Sequence, residues 1–203
     1  MGIQERKERE REEMRQQIIE AARYLFVNKG IENTSIRAIA ERIEYSPATI
    51  YLYFKDKDEI LYAVHEQAFF LFLDELKKIK DIQHPLERLK ALGKQYVQFA
   101  MKNPEYYDLM FILRAPMQMS KSRSEDYVGI QSYHFLYETV QECIDKGYIQ
   151  EKNTHKVSFM VWSYVHGTVS LYIRERTAMY PSELVEQIIL DAFDLFASTN
   201  RYI

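Results

Sequence analysis

Cysteine is almost absent from this sequence, in which Cys143 is the only one. A single cysteine excludes an intramolecular disulfide and the zinc sites that need several cysteines. Glycine (6) and proline (5) are also scarce, which favours long helices with short connections over a turn-rich sheet protein. The chain has no run of about 18 apolar residues, and MGIQERKEREREEMR at its start has no apolar signal core. We therefore expect a cytoplasmic protein without a membrane segment.

A large positive charge, the usual sign of a nucleic-acid-binding protein, is missing as well. The chain carries 27 Lys and Arg against 30 Asp and Glu, a net charge of −3. Residues 1–57 contain 11 basic and 10 acidic side chains, so this segment differs little from the remainder. Any argument for DNA binding must therefore come from local geometry rather than from total charge.

What the sequence does contain is helical periodicity, in a chain that is 47 % hydrophobic and 28 % charged. A first helix carries an apolar stripe from Met14 to Phe26 and stops at Asn28-Lys29-Gly30. Residues 4–15 before that stripe form either an extension of the helix, with opposite charges three or four residues apart, or a frayed solvated tail. The later prolines divide the remaining chain into helices at about 58–80, 85–102, 104–114, 123–146, 153–178 and 182–199. We predict an all-α protein of about nine helices.

Two short helices between residues 35 and 54 predict a helix-turn-helix. Thr34 or Ser35 can cap the first of them, whereas Ser46 with Pro47 begins the second. The turn between them is too short for antiparallel packing, so the helices must cross steeply, with Ala40 at the close approach. The expected core residues are Ile36, Ile39, Tyr45, Ile50 and Phe54, with Leu52 expected to be half-buried.

The side chains left on the outward face suit the major groove of DNA. Pro47 and Ala48 are small enough for the helix to approach base edges and contact a thymine methyl group, and Thr49 adds a donor and acceptor. Hydroxyl and cationic side chains around them can reach phosphates. The complete predicted DNA-binding set is Ser35, Arg37, Ser46, Pro47, Ala48, Thr49, Tyr51, Tyr53, Lys55 and Lys57. A bare pattern of this kind also fits two ordinary packed helices.

Residues 25–61, which read LFVNKGIENTSIRAIAERIEYSPATIYLYFKDKDEIL, resemble the DNA-binding domain of the TetR (tetracycline-repressor) family. In this resemblance Phe26 and Gly30 close the first helix, TSI opens the second, SPATIYLYF forms the recognition helix and KDEIL begins the fourth. It implies a DNA-binding domain at 1–57 and a larger helical domain for ligand binding and dimerisation at 58–203. The boundary is expected inside the long fourth helix.

The resemblance also implies a function and partners. Members are homodimers that bind operator half-sites, and an effector held in the C-terminal domain releases them from DNA. We therefore expect a ligand-responsive repressor whose partners are double-stranded operator DNA, a small-molecule effector and a second copy of the chain. The resemblance implies no cofactor, and it carries the roles of DNA contact to Pro47, Ala48, Thr49, Tyr51 and Tyr53 and of phosphate contact to Lys57.

Glu44 departs from the family, which usually has glycine in this turn. If the residue is left-handed, glutamate costs roughly 1–2 kcal/mol relative to glycine. Two interpretations follow. Either the turn accommodates a modest strain, or the carboxylate beside the DNA-binding face weakens and tunes non-specific binding.

The second half of the chain is rich in aromatic residues and methionine, which line adaptable apolar pockets when they are not simply core. The family places its effector among the fourth to seventh helices, where this set lies. We expect an apolar or aromatic ligand, with tyrosine hydroxyls, His134 or Arg114 as polar contacts. The predicted pocket residues are Phe69, Leu73, Tyr96, Phe99, Tyr107, Met110, Met117, Tyr127, His134, Trp162 and His166.

The segment VWSYVHGTVSLYI resembles the Trp-(x)3-His-Gly signature of one C-terminal subgroup of the family. Trp162 and His166 are four residues apart and share a helix face. Gly167 within a helix is best explained by the close approach of another backbone, which suits a dimer interface built from the last two long helices. The predicted interface residues are Val165, Val169, Tyr172, Ile188, Ile189, Ala192, Phe193 and Phe196.

Other function classes have less support. The five histidines show no close pair with metal-ligand spacing, and no glycine-rich phosphate loop is present. We therefore predict neither a metal site nor catalysis. The alternative to a repressor is a helical ligand-binding or interaction protein that no longer recognises DNA, which Glu44 and the weak positive charge would suit.

Overall fold

A computed structural model describes residues 2–113 and 128–199 of the chain. Within these ranges the regular elements are nine α-helices and one π-helical turn, without a strand, which confirms the predicted all-α fold. The helices are α1 Ile3–Lys29, α2 Ile36–Arg42, α3 Pro47–Tyr51, α4 Lys57–Lys77, α5 Pro85–Lys102, α6 Pro104–Tyr107, α7 Val128–Asp145, α8 Thr154–Ile173 and α9 Val185–Thr199. Among the described residues no helix is both long and apolar enough to cross a membrane.

Several helix ends differ from the prediction. The helix predicted at 104–114 is interrupted, because α6 ends at Tyr107 and the backbone continues as a π-helical turn, Asp108–Ile112. The helix predicted at 153–178 ends at Ile173, shortly before Glu175 takes a left-handed conformation with φ of 55°. Residues 4–15 are helical, and their ion pairs join Arg6 to Glu10 and Arg9 to Glu13.

The chain divides into two compact units, and the division falls inside α4 between Ala68 and Phe69. The first unit contains residues 2–68 together with 108–113, and the second contains residues 69–107 and 128–199. Hydrogen bonds to side chains begin α4, since the Glu59 amide donates to Asp56 Oδ1 (2.8 Å) and the Lys55 amide to Glu59 Oε2 (2.7 Å). These bonds satisfy two amides that a helix start leaves without partners.

In the first unit, α1, α2 and α3 surround one apolar core. Its buried members are Ile18, Ala22, Leu25, Phe26, Ile39, Ala40, Ile50 and Phe54. Gly30 ends α1 with φ of 82°, and its amide donates to the carbonyl of Phe26 (3.0 Å). Two predicted core residues lie elsewhere, since Ile36 is half-buried and Tyr45 is 47 % exposed. Tyr45 follows a left-handed residue, so the chain direction changes there and helical periodicity no longer applies.

In the second unit, α5 packs against α7, α8 and α9. Gly93 permits the approach of α9, because a Cβ atom at this position would lie 2.0 Å from ring carbons of Phe193. The buried Arg88 links α5 to α7 through a salt bridge with Glu142 (2.6 Å) and also donates to the carbonyl of Ile82 (2.9 Å). Both contacts fix α5 at the centre of this unit.

Candidate DNA-binding surface and effector site

The turn between α2 and α3 is closed by backbone hydrogen bonds and contains Glu44 in a left-handed conformation. Glu44 has φ of 61°, and the amide of Tyr45 donates to the carbonyl of Ala40 (2.9 Å). Ala40 is buried at the close approach of the two helices, as predicted. A side chain in the left-handed region costs about 1 kcal/mol or more relative to glycine, so this turn is strained by its glutamate.

Serine hydroxyls begin both helices of the motif. The Ser35 hydroxyl accepts from the amide of Ala38 (3.1 Å), and the Ser46 hydroxyl accepts from the amide of Thr49 (3.3 Å). The Ser46 and Thr49 hydroxyls also hydrogen-bond to each other at 3.0 Å. The serine N-caps and Pro47 in the first turn are confirmed, and Ser35 rather than Thr34 is the cap of α2.

The outward face of α3 contains most of the predicted DNA-binding residues. It also contains Leu52, which was not in that set. Pro47, Ala48 and Tyr51 are exposed, whereas Thr49 and Tyr53 are half-buried. Leu52 was expected to be half-buried, but 73 % of its surface is exposed. Leu52, the C-cap of α3, keeps a helical backbone and lies two residues from each of the buried Ile50 and Phe54, so its side chain points to the opposite side.

Cationic side chains flank this face, and two of them already have partners within the first unit. The Lys57 ammonium donates to the carbonyl of Ile31 (2.9 Å) and thereby connects the start of α4 to the loop between α1 and α2. Arg37 pairs with Glu41 at 2.9 Å on the exposed surface of α2. An ammonium has three donors, so Lys57 can bind the loop and still donate to a phosphate. Lys55 is exposed.

In the second unit, three of the predicted pocket residues contact a fourth, His166 of α8. The Tyr96 hydroxyl lies 3.1 Å from an imidazole nitrogen of His166, and the Tyr107 hydroxyl donates to the His166 carbonyl at 3.3 Å. The indole of Trp162 meets the same imidazole edge-on, with ring centroids 5.0 Å apart. We call Tyr96, Tyr107, Trp162 and His166 the aromatic cluster.

Burial sets the electrostatics of the aromatic cluster. It lowers the pKa of His166 to about 4, so the imidazole is neutral at pH 7. Burial, with Tyr107 as a second cause, raises the pKa of the Tyr96 hydroxyl well above its ordinary value. The cluster therefore offers neutral polar groups between aromatic rings, an arrangement suited to an uncharged or aromatic part of a ligand.

The remaining predicted pocket residues do not all join this cluster. Phe99 and Tyr96 both pack on Phe72, with ring centroids 5.1 and 5.5 Å apart, while Phe69 is buried and Leu73 half-buried. His134 is exposed on α7, whereas its neighbour Tyr133 contacts Trp162.

Four predicted residues of the effector region do not belong to the aromatic cluster. Met110 belongs to the first unit, where the buried His65 donates to its carbonyl. Met117, Tyr127 and the possible polar contact Arg114 lie outside the described residues.

Half of the predicted dimer-interface residues are buried within their own chain. Val165, Val169, Ile189 and Phe193 are at most 6 % exposed, so they have almost no surface to offer a partner. Tyr172, Ile188, Ala192 and Phe196 are half-buried. Val165 and Val169 pack inward because α8 is apolar on two faces, and periodicity alone cannot decide which face is inward; the dimer interface itself stays a prediction. The exposed apolar residues of this region are Phe159, Trp162, Leu171, Leu184 and Leu195.

Gly167 lies on the exposed face of α8. A Cβ atom built there would have no neighbour within 4 Å in its own chain. Packing inside the subunit therefore does not explain a glycine at this position.

The described part of the chain shows neither a metal-binding cluster nor an activated cysteine. Residues 2–113 and 128–199 contain no cluster of three or more His, Cys, Asp or Glu that could hold a metal ion. Cys143 is buried, and burial raises the pKa of its thiol to about 12, which keeps it protonated and poorly nucleophilic.

Both units match protein-family models of one family. Residues 18–64 match the family model for bacterial regulatory proteins of the tetR family, and residues 89–192 match that for the tetracyclin repressor-like C-terminal domain. An HTH-type transcriptional regulator of Staphylococcus aureus strain USA300 is 35 % identical over 92 residues, which are 45 % of this chain and 50 % of the relative. The chain thus spans about half the length of the curated relatives it matches.

Solved structures share the fold over most of the chain. The fatty acid degradation regulator FadR from Bacillus halodurans superposes with a TM-score of 0.68 at 21 % identity, covering 87 % of this chain and 94 % of that protein. FadR from Bacillus subtilis, solved in complex with stearoyl-CoA, gives a TM-score of 0.72 at 19 % identity, covering 90 % and 97 %. At these identities the similarity establishes the fold alone.

The family can be assigned from the two model matches, of which the C-terminal one alone covers more than half of the chain. The finer assignment to the subgroup with a Trp-(x)3-His-Gly signature stays a prediction. The helix-turn-helix, the all-helical second unit and both matches lead to one conclusion: the chain belongs to the TetR family of bacterial transcriptional regulators.

Proposed function

We propose that this protein is a homodimeric transcriptional repressor, which binds a pseudo-palindromic operator in the cytoplasm and is released by an apolar or aromatic small molecule. The observation that carries the proposal is the outward face of α3, which is exposed, uncharged and bordered by Tyr51, Tyr53 and Lys55. Such a face can enter the major groove while its borders contact phosphates. Residues 1–57 would bind DNA, and residues 58–203 would bind the effector and the partner subunit.

The exposed apolar residues of α8 and α9 support the homodimer. Phe159, Gly167 and Leu171 lie within about 120° of one another on the exposed side of α8, and Leu195 is exposed on α9. Large apolar side chains exposed together often mark an interface between proteins. Gly167 has open space in its own chain, so it can accept the close approach of a helix from a second copy.

The aromatic cluster is the proposed effector site. Its neutral imidazole and two hydroxyls can orient a ligand, whereas the surrounding rings supply apolar contact. The stearoyl-CoA complex of Bacillus subtilis FadR makes long-chain acyl thioesters a reasonable first class of compounds to test, beside aromatic molecules. Tyr96→Phe and His166→Gln should each reduce the increase in melting temperature that an active compound causes. Tyr180→Phe, which alters an exposed tyrosine, is the control.

The DNA part of the proposal is tested by gel shift on the region upstream of the gene. Tyr51→Ala should weaken binding, because it removes a hydroxyl that reaches the DNA backbone, whereas Lys80→Ala alters an exposed lysine of the second unit and should not. A compound from the melting screen should release the shifted DNA. Equal binding by wild type and Tyr51→Ala would contradict the proposed interface.

A second candidate function is suggested by Glu44. This residue costs conformational energy and also puts a carboxylate next to the surface that would face phosphates. A helical ligand-binding protein that has lost DNA recognition would tolerate both. It would show ligand-dependent melting but no preference for any DNA sequence.

A further inference from the structure

Leu52 directly follows α3, and 73 % of its surface is exposed. It is two residues from Ile50 and two from Phe54, which are 0 % and 2 % exposed. At about 100° per residue, Leu52 points about 160° away from each of these buried side chains. The turn after α3 keeps a nearly helical path, because the amide of Phe54 donates to the carbonyl of Ile50 (3.0 Å) and the amide of Leu52 donates to the carbonyl of Thr49 (3.2 Å).

Ala48 shares this outermost line, since it precedes Leu52 by one helical turn and is also exposed. Tyr51 and Tyr53 flank Leu52, about 100° to either side. When Leu52 faces the floor of the major groove, the two tyrosines therefore face its opposite walls, where the phosphates lie. This places the apolar pair, rather than the hydroxyls, against the base edges.

The side chains of α3 exclude the commonest forms of base recognition. The segment PATIYLY, residues 47–53, contains no Arg, Lys, Asn, Gln, Asp or Glu. Recognition of guanine usually requires bidentate Arg or Lys, recognition of adenine requires Asn or Gln, and recognition of cytosine uses a carboxylate. The Thr49 hydroxyl is already hydrogen-bonded to Ser46. The one feature of the major groove that an alanine and a leucine recognise directly is the C5-methyl group of thymine.

We propose that Leu52, together with Ala48, contacts thymine C5-methyl groups at the centre of each operator half-site and thereby sets the sequence preference. This inference rests on the proposed function as a DNA-binding repressor. It identifies the feature of the DNA that α3 recognises, a row of thymine methyl groups in the major groove. It also assigns Leu52, an exposed leucine with no role in the core, to DNA binding.

The test uses an operator located by footprinting with the full-length protein. Each thymine of a half-site is replaced in turn by deoxyuridine, which removes the methyl group and leaves every hydrogen-bonding group in place. Loss of one buried methyl group corresponds to about a fourfold loss of affinity. We expect this loss at one or two thymines per half-site. Where cytosine is placed at such a position, 5-methylcytosine should recover part of the affinity.

Variants of the protein connect the effect to Leu52. At the thymine that Leu52 contacts, Leu52→Ala should bind the thymine and deoxyuridine operators with equal affinity, because the side chain that contacts that methyl group is gone; a thymine contacted by Ala48 should keep its effect. Tyr51→Phe should weaken both operators by the same factor. Leu71→Ala, at an exposed leucine of the second unit, should keep the wild-type discrimination. Leu52 is exposed, so its substitution should leave the melting temperature unchanged, and this is measured for each variant.

The outcomes separate the two levels of the proposal. A protected operator whose affinity is unchanged by deoxyuridine at every thymine would overturn the inference and leave the repressor function intact. The inference is also overturned if Leu52→Ala discriminates between the operators as the wild type does. If no sequence is protected at all, the proposed function fails and the inference fails with it.

Discussion

At the residue scale, Glu44 is the position where sequence and backbone conflict. Its φ of 61° is the left-handed value that glycine adopts without cost. We predict that Glu44→Gly raises the free energy of unfolding by about 1 kcal/mol, measured by urea denaturation. Glu175, with φ of 55° in the second unit, is the matched control, and Glu175→Gly should stabilise to a similar extent. A lower free energy of unfolding for Glu44→Gly would show that the glutamate does not strain this turn.

The same pair of variants decides between the two interpretations of Glu44. If Glu44→Gly also binds non-specific DNA more tightly than Glu175→Gly at low salt, the carboxylate tunes DNA binding. Equal affinity for the two variants leaves only a strained turn. The comparison is informative because both variants gain similar backbone relief but only one loses a charge next to the predicted DNA surface.

Lys55 and Lys57 are predicted to differ although both are cations at the start of α4. The Lys57 ammonium donates to the carbonyl of Ile31, so Lys57→Met should lower the melting temperature and weaken DNA binding together. Lys55→Met should leave the melting temperature unchanged and reduce the slope of log K against log salt by about 0.9, the value for one lost phosphate contact. Identical behaviour of the two variants would show that the bond to Ile31 has no structural role.

Much of the residue-level prediction depended on rules that act over a few residues. The Ser46 cap and Pro47 could be predicted because capping is local chemistry. Tyr45 was predicted incorrectly because a left-handed residue precedes it, which no periodicity can reveal. Leu52 was also misplaced, although its position two residues from both Ile50 and Phe54 was a usable signal. Residue type alone does not distinguish an exposed leucine on a proposed DNA-binding surface from a leucine in the core.

At the element scale, the contact between α5 and α9 depends on the absence of a side chain at Gly93. A Cβ atom there would overlap the buried ring of Phe193. Gly93→Ala should therefore destabilise the protein by about 1–3 kcal/mol, despite alanine's greater helix propensity, as measured by urea denaturation. Adding Phe193→Leu should restore part of the loss. An additive pair of effects would mean that the two residues do not interact.

Gly167 is predicted to behave in the opposite way to Gly93. Nothing in its own chain lies near a Cβ atom at this position, so Gly167→Ala should stabilise α8 by up to about 1 kcal/mol in the isolated subunit. If a partner helix approaches there, the same substitution should weaken the dimer. Sedimentation equilibrium together with urea denaturation at low protein concentration measures both effects. A dimer unaffected by Gly167→Ala would place the interface elsewhere.

The proposed dimer surface on α9 can be tested by introducing a charged side chain there. Leu195→Glu puts a carboxylate on the exposed apolar surface of α9 and should give a monomer in size-exclusion chromatography with light scattering. Leu71→Glu, on α4, is the control. The sequence could predict that α8 and α9 are apolar, but not which side faces a partner, because Val157, Val161, Val165 and Val169 form a second apolar line that is buried.

At the scale of the whole molecule, the buried His65 and the half-buried His166 make stability depend on pH. Burial lowers the pKa of His65 and of His166 to about 4, from an ordinary value of 6.5. Between these values the unfolded chain binds protons that the folded chain excludes, so stability should fall as the pH drops from 6.5 towards 4 and be level above 7. His65→Gln and His166→Gln should each reduce this slope between pH 5 and 7. If neither variant changes the slope of stability against pH, the two histidines are not its cause.

The four residues of the aromatic cluster all belong to the pocket set predicted from the sequence, whereas the contacts between them could not be predicted. The convergence of Tyr96, Tyr107 and Trp162 on His166 depends on contacts between residues up to 70 positions apart, which periodicity does not encode. The sequence could therefore predict which residues supply the chemistry of the proposed pocket but not how they meet.

The most direct measurement of the central claim is a footprint of the wild-type protein and Tyr51→Ala on the gene's upstream region at about 150 mM salt. We expect two protected half-sites whose centres are a whole number of helical turns apart, as for a symmetric dimer of helix-turn-helix domains. Tyr51→Ala should lose this protection while keeping the wild-type melting temperature. Uniform binding along the DNA, equal for both proteins, would contradict the assignment of α3 as the recognition helix.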